Sequence, residues 1–230
     1  MILYMKILKK FKQLYIFFKY GNRSFSQEGE DLILDRFLNG KKNGFYIDIG
    51  AHHPIKYSNT YKFYLKGWRG INIDAMPGSM SRFKKIRPRD LNLEIPISSK
   101  NENLIYHIFN EPALNTFSEK EARLKNGLRN YKVIETKQLN CKTLSEVLSI
   151  NIAQNQKIDF MTIDVEGLDF DVLVSNNWDL YKPDYILVEE LLDYKLLINS
   201  QSKINHYLNN LGYRLVARTL NTSVYTNQDV

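Results

Sequence analysis

The sequence predicts an α/β fold, a mainly parallel seven-stranded sheet with helices on both faces. Three observations predict it. From Gly44 onward, short apolar runs alternate with helix-like stretches, the order that builds a parallel sheet. Three of those runs end in an acid or a glycine (IDIG, TIDVEG, LVEE), and in doubly wound sheets the ligand crevice lies beyond the carboxyl ends of the strands. The chain has 230 residues, 43% of them hydrophobic, with 12 Phe, 15 Tyr and 2 Trp. That suits one mid-sized domain with a substantial core and excludes global disorder.

The elements follow in order. Residues 1–23 read as a basic amphipathic helix preceding a single domain over 24–230. Within it Leu3, Ile7, Phe11, Leu14 and Phe18 recur every three or four residues, with Tyr15 on their flank and most lysines opposite. Candidate strands are Gly44–Gly50, Gly70–Ala75, Leu91–Ser98, Ile158–Val165, Tyr185–Glu189 and Tyr213–Leu220, with Ser223–Asn227 as a final edge. Helices start at Ser58, at Ser118 and at Thr143; the last two carry the capping-box spacing to Glu121 and Glu146. Gly67 reads as a helix stop. The polar stretch 101–140, with short strands at Ile105–Phe109 and Val133–Leu139, reads as an insertion or lid.

Charge and cysteine usage narrow the function classes. The net charge is +7, yet residues 1–27 hold six basic side chains (Lys6, Lys9, Lys10, Lys12, Lys19, Arg23) and no acid. The remaining body is nearly neutral, which argues against a nucleic-acid partner, since such proteins put a basic face on the folded domain. A single cysteine, Cys141, excludes an internal disulfide and multi-cysteine metal sites and points to the cytoplasm. Lysines interrupt every apolar run near the N-terminus, so neither a spanning helix nor a secretory leader is expected there. The basic helix either packs on the domain or a second subunit, or makes peripheral contact with the inner face of an anionic membrane through residues 1–20.

The densest chemical signal is Phe45-Tyr-Ile-Asp48-Ile-Gly50-Ala-His52-His53-Pro54. A buried strand runs into a glycine turn, where a ligand can approach the backbone. Asp74 ends the next strand 24 residues after Gly50, placed to bond a ribose diol. The three-glycine dinucleotide fingerprint is absent. Together these point to a nucleoside ligand without a pyrophosphate, a description that S-adenosylmethionine fits.

SQEGEDLIL from Ser26, GFYIDIGAHHP, SNTYKFYLKGWRGINIDAMP, and IDFMTIDVEGLDFDVL followed by PDYILVEE recur in one order across roughly Ser26 to Glu190. In this the chain resembles the FkbM family of S-adenosylmethionine-dependent methyltransferases. The resemblance implies a class I methyltransferase (Rossmann-like) fold acting on hydroxyl groups of sugars or other small molecules. By position it implies that Asp48 and Gly50, with Ala51, hold the methionine part of the cofactor. It further implies that Asp74, with Ala75, binds the ribose, that Ile97 and Ser98 lie near the adenine, and that Asp164 and Glu166 flank the methyl group and the acceptor. Gln27 and Asp31 are second-rank substrate-binding candidates, and Glu189 and Glu190 are placed to reach the acceptor.

Methyl transfer to a hydroxyl needs alignment, exclusion of water and a base for the departing proton. Asp164 or Glu166 is favoured as that base, with His53 as runner-up and His52 beside it. Alternating residues of an extended strand point to opposite faces, so both acids enter the crevice only if the Gly167 turn swings them in. A divalent metal held by Asp164, Glu166 and a histidine is not favoured, because no short ligand spacing supports it. The basic run Arg82, Lys84, Lys85, Arg87 and Arg89 reads as a solvated helix face, and Cys141 as a small residue before a helix. The rival from another class is a glycan- or membrane-associated binding module that kept the fold and lost transfer.

Overall fold

The computed structural model describes residues 2–190 and 202–229, with the side chains of residues 2–8 and 18 outside the description. The sheet strands are β1 (Phe45–Ile49), β2 (Arg69–Asp74), β3 (Leu91–Glu94), β6 (Phe160–Ile163), β7 (Tyr185–Glu189), β8 (Arg214–Arg218) and β9 (Thr222–Thr226). Their spatial order is β3-β2-β1-β6-β7-β9-β8, parallel as far as β7, with β9 antiparallel to both β7 and β8. A separate antiparallel pair, β4 (Glu102–Phe109) and β5 (Val133–Cys141), lies between β3 and α6 along the chain. The helices are α1 (Ile2–Tyr20), α2 (Glu30–Phe37), α3 (Tyr61–Leu65), α4 (Met80–Ile86), α5 (Glu119–Lys125), α6 (Leu144–Asn151), α7 (Asp169–Val174) and α8 (Lys203–Asn210).

One expectation is corrected. The last strand is not the sheet edge: β9 inserts between β7 and β8, and β8 is the edge. Burial explains the order, since every residue of β9 is buried whereas Arg214 and Leu215 of β8 are exposed. Leu91–Ser98 also closes early, at Glu94; beyond it Ile97 makes a single bridge to Lys142 at the foot of the insertion.

Both sheet faces are covered. Ile47, Ile49, Ile71, Ile73, Met161, Ile163, Ile186 and Val188 pack with Leu144, Val147, Leu148, Val172, Leu173 and Leu208 of α6, α7 and α8. The alternating residues Tyr46, Phe160, Tyr185 and Leu187 pack on the other face with Leu34 of α2 and Phe63 of α3. Period-two alternation along parallel strands therefore feeds two helical layers.

The local punctuation acts as its chemistry dictates. Gly67 at φ +101° ends α3, its N–H donating to Tyr64 O and the Trp68 N–H to Phe63 O. Ser118 and Thr143 each accept the N–H three residues on. The basic run departs from a solvated face at Arg87, which is fully buried: its guanidinium donates to Asp90 (2.8 Å) and to the Tyr46 hydroxyl (2.8 Å). Cys141 is buried before α6, and that burial pushes its thiol up to about 11.

Along helix α1 the described side chains, Lys9 to Phe17, Lys19 and Tyr20, are all exposed. Among the described residues, no helix is long and apolar enough to cross a membrane.

Candidate functional site

Strand register builds the site. Ile73, Ile49, Ile163 and Val188 form one aligned row across β2, β1, β6 and β7. One residue further on, at the carboxyl edge, stand Asp74, Gly50, Asp164 and Glu189. All four line a single crevice, with Gln27, His52, Ala75, Ile97 and Glu166.

The β1 turn is tied to both neighbours. Gly50 and Ala51 donate their N–H groups to Ile73 O, and Asp164 donates its N–H to Ile49 O. Gly50 has φ +84°, and a Cβ there would lie 1.7 Å from the carbonyl oxygen of Asp164. No other residue fits, and the bare backbone leaves a cradle facing the crevice. Asp74 accepts the N–H groups of His52 and Met76, each at 2.8 Å. Burial raises its carboxyl above the usual range, opposed by those two bonds. The remaining oxygen lone pairs fit a ribose diol, and Ala75, Met76, Ile95 and Ile97 supply an apolar slot beside it.

The turn after β6 answers the question of direction. Glu166 adopts φ +53° and Gly167 φ +104°, and this left-handed pair brings Asp164 and Glu166 to the same side. One carboxylate oxygen from each of Asp164, Glu166 and Glu189 lies within 4.8 Å of the others. The turn is clamped: Asp169 accepts from Val165 and Gly167 N–H, and the Thr116 hydroxyl donates to Glu166 O (2.6 Å). Lys125 of α5 reaches the Glu166 carboxylate at 2.6 Å.

Asp164 is open to the crevice yet crowded by protein on its other sides. That crowding, followed by the charge of Glu189, drives its carboxyl well above the ordinary range. Burial also pushes Glu189 up, to about 8, reinforced by Glu166 and Asp169 and opposed by Lys125. The two carboxyls titrate as a pair. Three carboxylates alone do not define a metal site, and Lys125 already engages one of them; no metal is assigned.

Other expected residues stand outside the crevice lining. Asp48 faces the α2–α3 layer, accepting from the Thr60 hydroxyl (2.6 Å); burial raises it to about 6, against Arg87 and Thr60. Ala51 packs on Met80 and Phe83 of α4. Ser98 is buried, its hydroxyl donating to Glu102. Asp31 accepts from the Ser24 and Ser26 hydroxyls and from Phe25 N–H, fixing the segment that delivers Gln27. His53 caps the following turn, its Nδ1 accepting from Ile55 and Lys56 N–H. Burial, and then His52, Arg82 and Lys56, hold it below its ordinary value, so Nδ1 stays free to accept. Glu190 is buried on the Tyr225 and Ser202 hydroxyls.

Sequence reasoning missed the insertion's share of the wall, namely Tyr106, Pro112, Ala113, Asn115 and Phe117, and also Tyr57 and Met76. The Tyr106 and Phe117 rings sit 4.5 Å apart between centroids. Spacing carries no signal for a loop folding back over a sheet end. Tyr57 adopts φ +57°, a conformation that the sequence at a tyrosine does not signal.

A doubly wound sheet with its crevice at Gly50, Asp74 and Asp164 defines the class I methyltransferase fold. The Methyltransferase FkbM domain matches residues 48–215, and the chain belongs to that family. The match starts after the SQEGED segment and runs past Glu190. A methyltransferase FkbM from Methylobacillus flagellatus is 11% identical at TM-score 0.48, with 80% of this chain covered. This chain spans 44% of that protein's length. A TehB-like SAM-dependent methyltransferase from Corynebacterium glutamicum is 10% identical at TM-score 0.41, over 96% of this chain and 97% of the other. Likenesses this distant carry no further argument, and membership stands on the family match. No curated protein matches the chain.

Proposed function

We propose that the chain is an S-adenosylmethionine-dependent O-methyltransferase acting on a hydroxyl of a sugar, a glycan precursor or a related small molecule. The observation that carries this is the single edge row in which Gly50 and Asp74 meet Asp164 and Glu189. S-adenosylmethionine, when bound, supplies an electrophilic methyl group on a positively charged sulfonium. The Gly50 cradle and the Asp74 carboxylate are the residues to hold it, and the nearby acids favour its positive charge.

The chain's own groups do the rest. Asp164 Oδ takes the proton of the acceptor hydroxyl, and its raised affinity for protons makes it a stronger base than an ordinary carboxylate. Glu189 shares that proton load, while Glu166, held by Lys125, orients the acceptor's other hydroxyls. Tyr106 and Phe117 line the crevice wall, where their rings displace water from the reacting groups. The inward-facing carboxylates disfavour a phosphate backbone, which supports a small polar acceptor over nucleic acid. A cytoplasmic setting accords with the buried, unbridged thiol of Cys141.

The test is calorimetric titration with S-adenosylmethionine and S-adenosylhomocysteine, followed by turnover on sugar acceptors. Micromolar binding of both is expected. Asp164→Asn and Glu166→Gln keep that binding and lose turnover. Folded protein that binds neither compound refutes the cofactor, and two fully active variants refute the base.

A further inference from the structure

Helix α1 carries a run of large apolar side chains that are exposed. Phe11 is 65% exposed, Leu14 50% and Tyr15 61%. At about 100° per residue, the sequence places Leu3, Ile7, Phe11, Leu14 and Phe18 along one stripe, with Tyr15 on its flank and Lys9 opposite. Lys10 and Lys19 fall at its two margins, where long side chains bury their stems and keep their charges at a polar boundary. A contiguous apolar face of this kind marks a contact surface.

Charge selects the partner. Residues 1–27 carry six basic side chains and no acid. A second copy would therefore set like charges against like, whereas an anionic lipid surface supplies both the counter-charge and the apolar layer.

The attachment point gives the contact a direction. After Tyr20 the chain reaches Ser24 and Phe25, which are bonded to buried Asp31, and then Gln27 in the crevice wall. Seven residues at up to about 3.5 Å each hold the helix end within about 25 Å of the crevice. We propose that α1 lies along an anionic membrane surface and anchors the crevice near the lipid headgroups. This contact is independent of the methyl-transfer chemistry and is tested without it.

The experiment is sedimentation of the full chain with phosphatidylcholine vesicles, with and without phosphatidylglycerol. The protein is expected to pellet only with the anionic vesicles and to be released by salt. Each lysine near such a surface is worth about fivefold in affinity, so Lys9→Glu, Lys10→Glu and Lys12→Glu combined lower binding by at least about a hundredfold. Phe11→Glu with Leu14→Glu also abolishes pelleting, and both sets keep the parent melting temperature because these side chains are exposed. Parent protein that stays in solution with anionic vesicles overturns the proposal, as does pelleting that neither set changes. A dimer that Phe11→Glu with Leu14→Glu dissolves, without vesicle binding, assigns the face to a second copy and also overturns it.

Discussion

The two halves of the crevice are built on opposite electrostatic terms. At the β1–β2 end the crevice acid is satisfied: Asp74 has two backbone donors, and Asp48, outside the lining, has Thr60. At the β6–β7 end, the Asp164 and Glu189 carboxylates accept no hydrogen bond among the described residues, and only Glu166 has a cation, Lys125. A carboxylate with its donors in place is fixed and ready to hold a ligand. One without donors has a raised proton affinity and, once ionised, leaves its oxygens open to accept a proton. Under the proposed function, holding and proton handling fall to opposite ends of a single row of strand ends.

The sharpest way to break this division is Gly50→Ala, which strikes both halves. Its methyl would collide with the Asp164 carbonyl at a positive φ, so cofactor affinity falls on the order of a hundredfold and the protein loses stability. Titration together with thermal melting checks both. Next in size, Asp74→Ala confines the damage to the holding side, costing about 2 kcal/mol of cofactor affinity, or about 30-fold; equal losses in affinity for Asp164→Ala would erase the distinction.

On the proton side the effect is one of pH. Native Glu189 keeps a proton up to about pH 8 that the unfolded chain releases near the ordinary glutamate value of 4.5. Stability contributed by that protonated state is full below the unfolded value and lost as pH rises through the folded one. Melting temperature should fall between about pH 5 and 8 while turnover rises, and Glu189→Gln should flatten both slopes; unchanged slopes would remove Glu189 from the proton-sharing pair. The smallest effect belongs to Lys125→Met. Removing the cation that lowers Glu189 moves the pH–rate midpoint upward and slows turnover at pH 7 by a few-fold, with cofactor affinity unchanged as the control.

The crevice floor was legible because strands announce themselves. Parallel strands end at a common edge, so an acid or glycine closing an apolar run falls on the ligand side. Gly50, Asp74, Asp164 and Glu189 could be named that way. Asp48 could not be placed by the same logic, since it lies inside β1, two residues before Gly50, and the pleat turns it away from the Ile47 and Ile49 face towards Thr60. The SQEGED acids illustrate a second limit. Glu28 bonds Asn221 and Glu30 bonds Thr222, some 190 residues away, so the acids serve as fasteners while Gln27 alone among them lines the crevice. The walls drawn from residues 106–117 depend on how the β4–β5 hairpin folds back, which no local spacing encodes.

Three of the six non-glycine residues with positive φ among those described, His52, Tyr57 and Glu166, line the crevice. Two of them are held by partners elsewhere in the chain: Asp74 accepts the His52 N–H and the Thr116 hydroxyl donates to Glu166 O. The edge row itself joins residue 50 to residues 74, 164 and 189, and its central pairing spans over a hundred residues. A nascent chain thus completes β1 and β2 early and must wait for most of its length before the second half of the row arrives. Closure of so long a loop is slow relative to local pairing, so the crevice is expected to mature late in folding, and a truncated product ending before β6 would display β1 with one long edge unpaired and prone to aggregate.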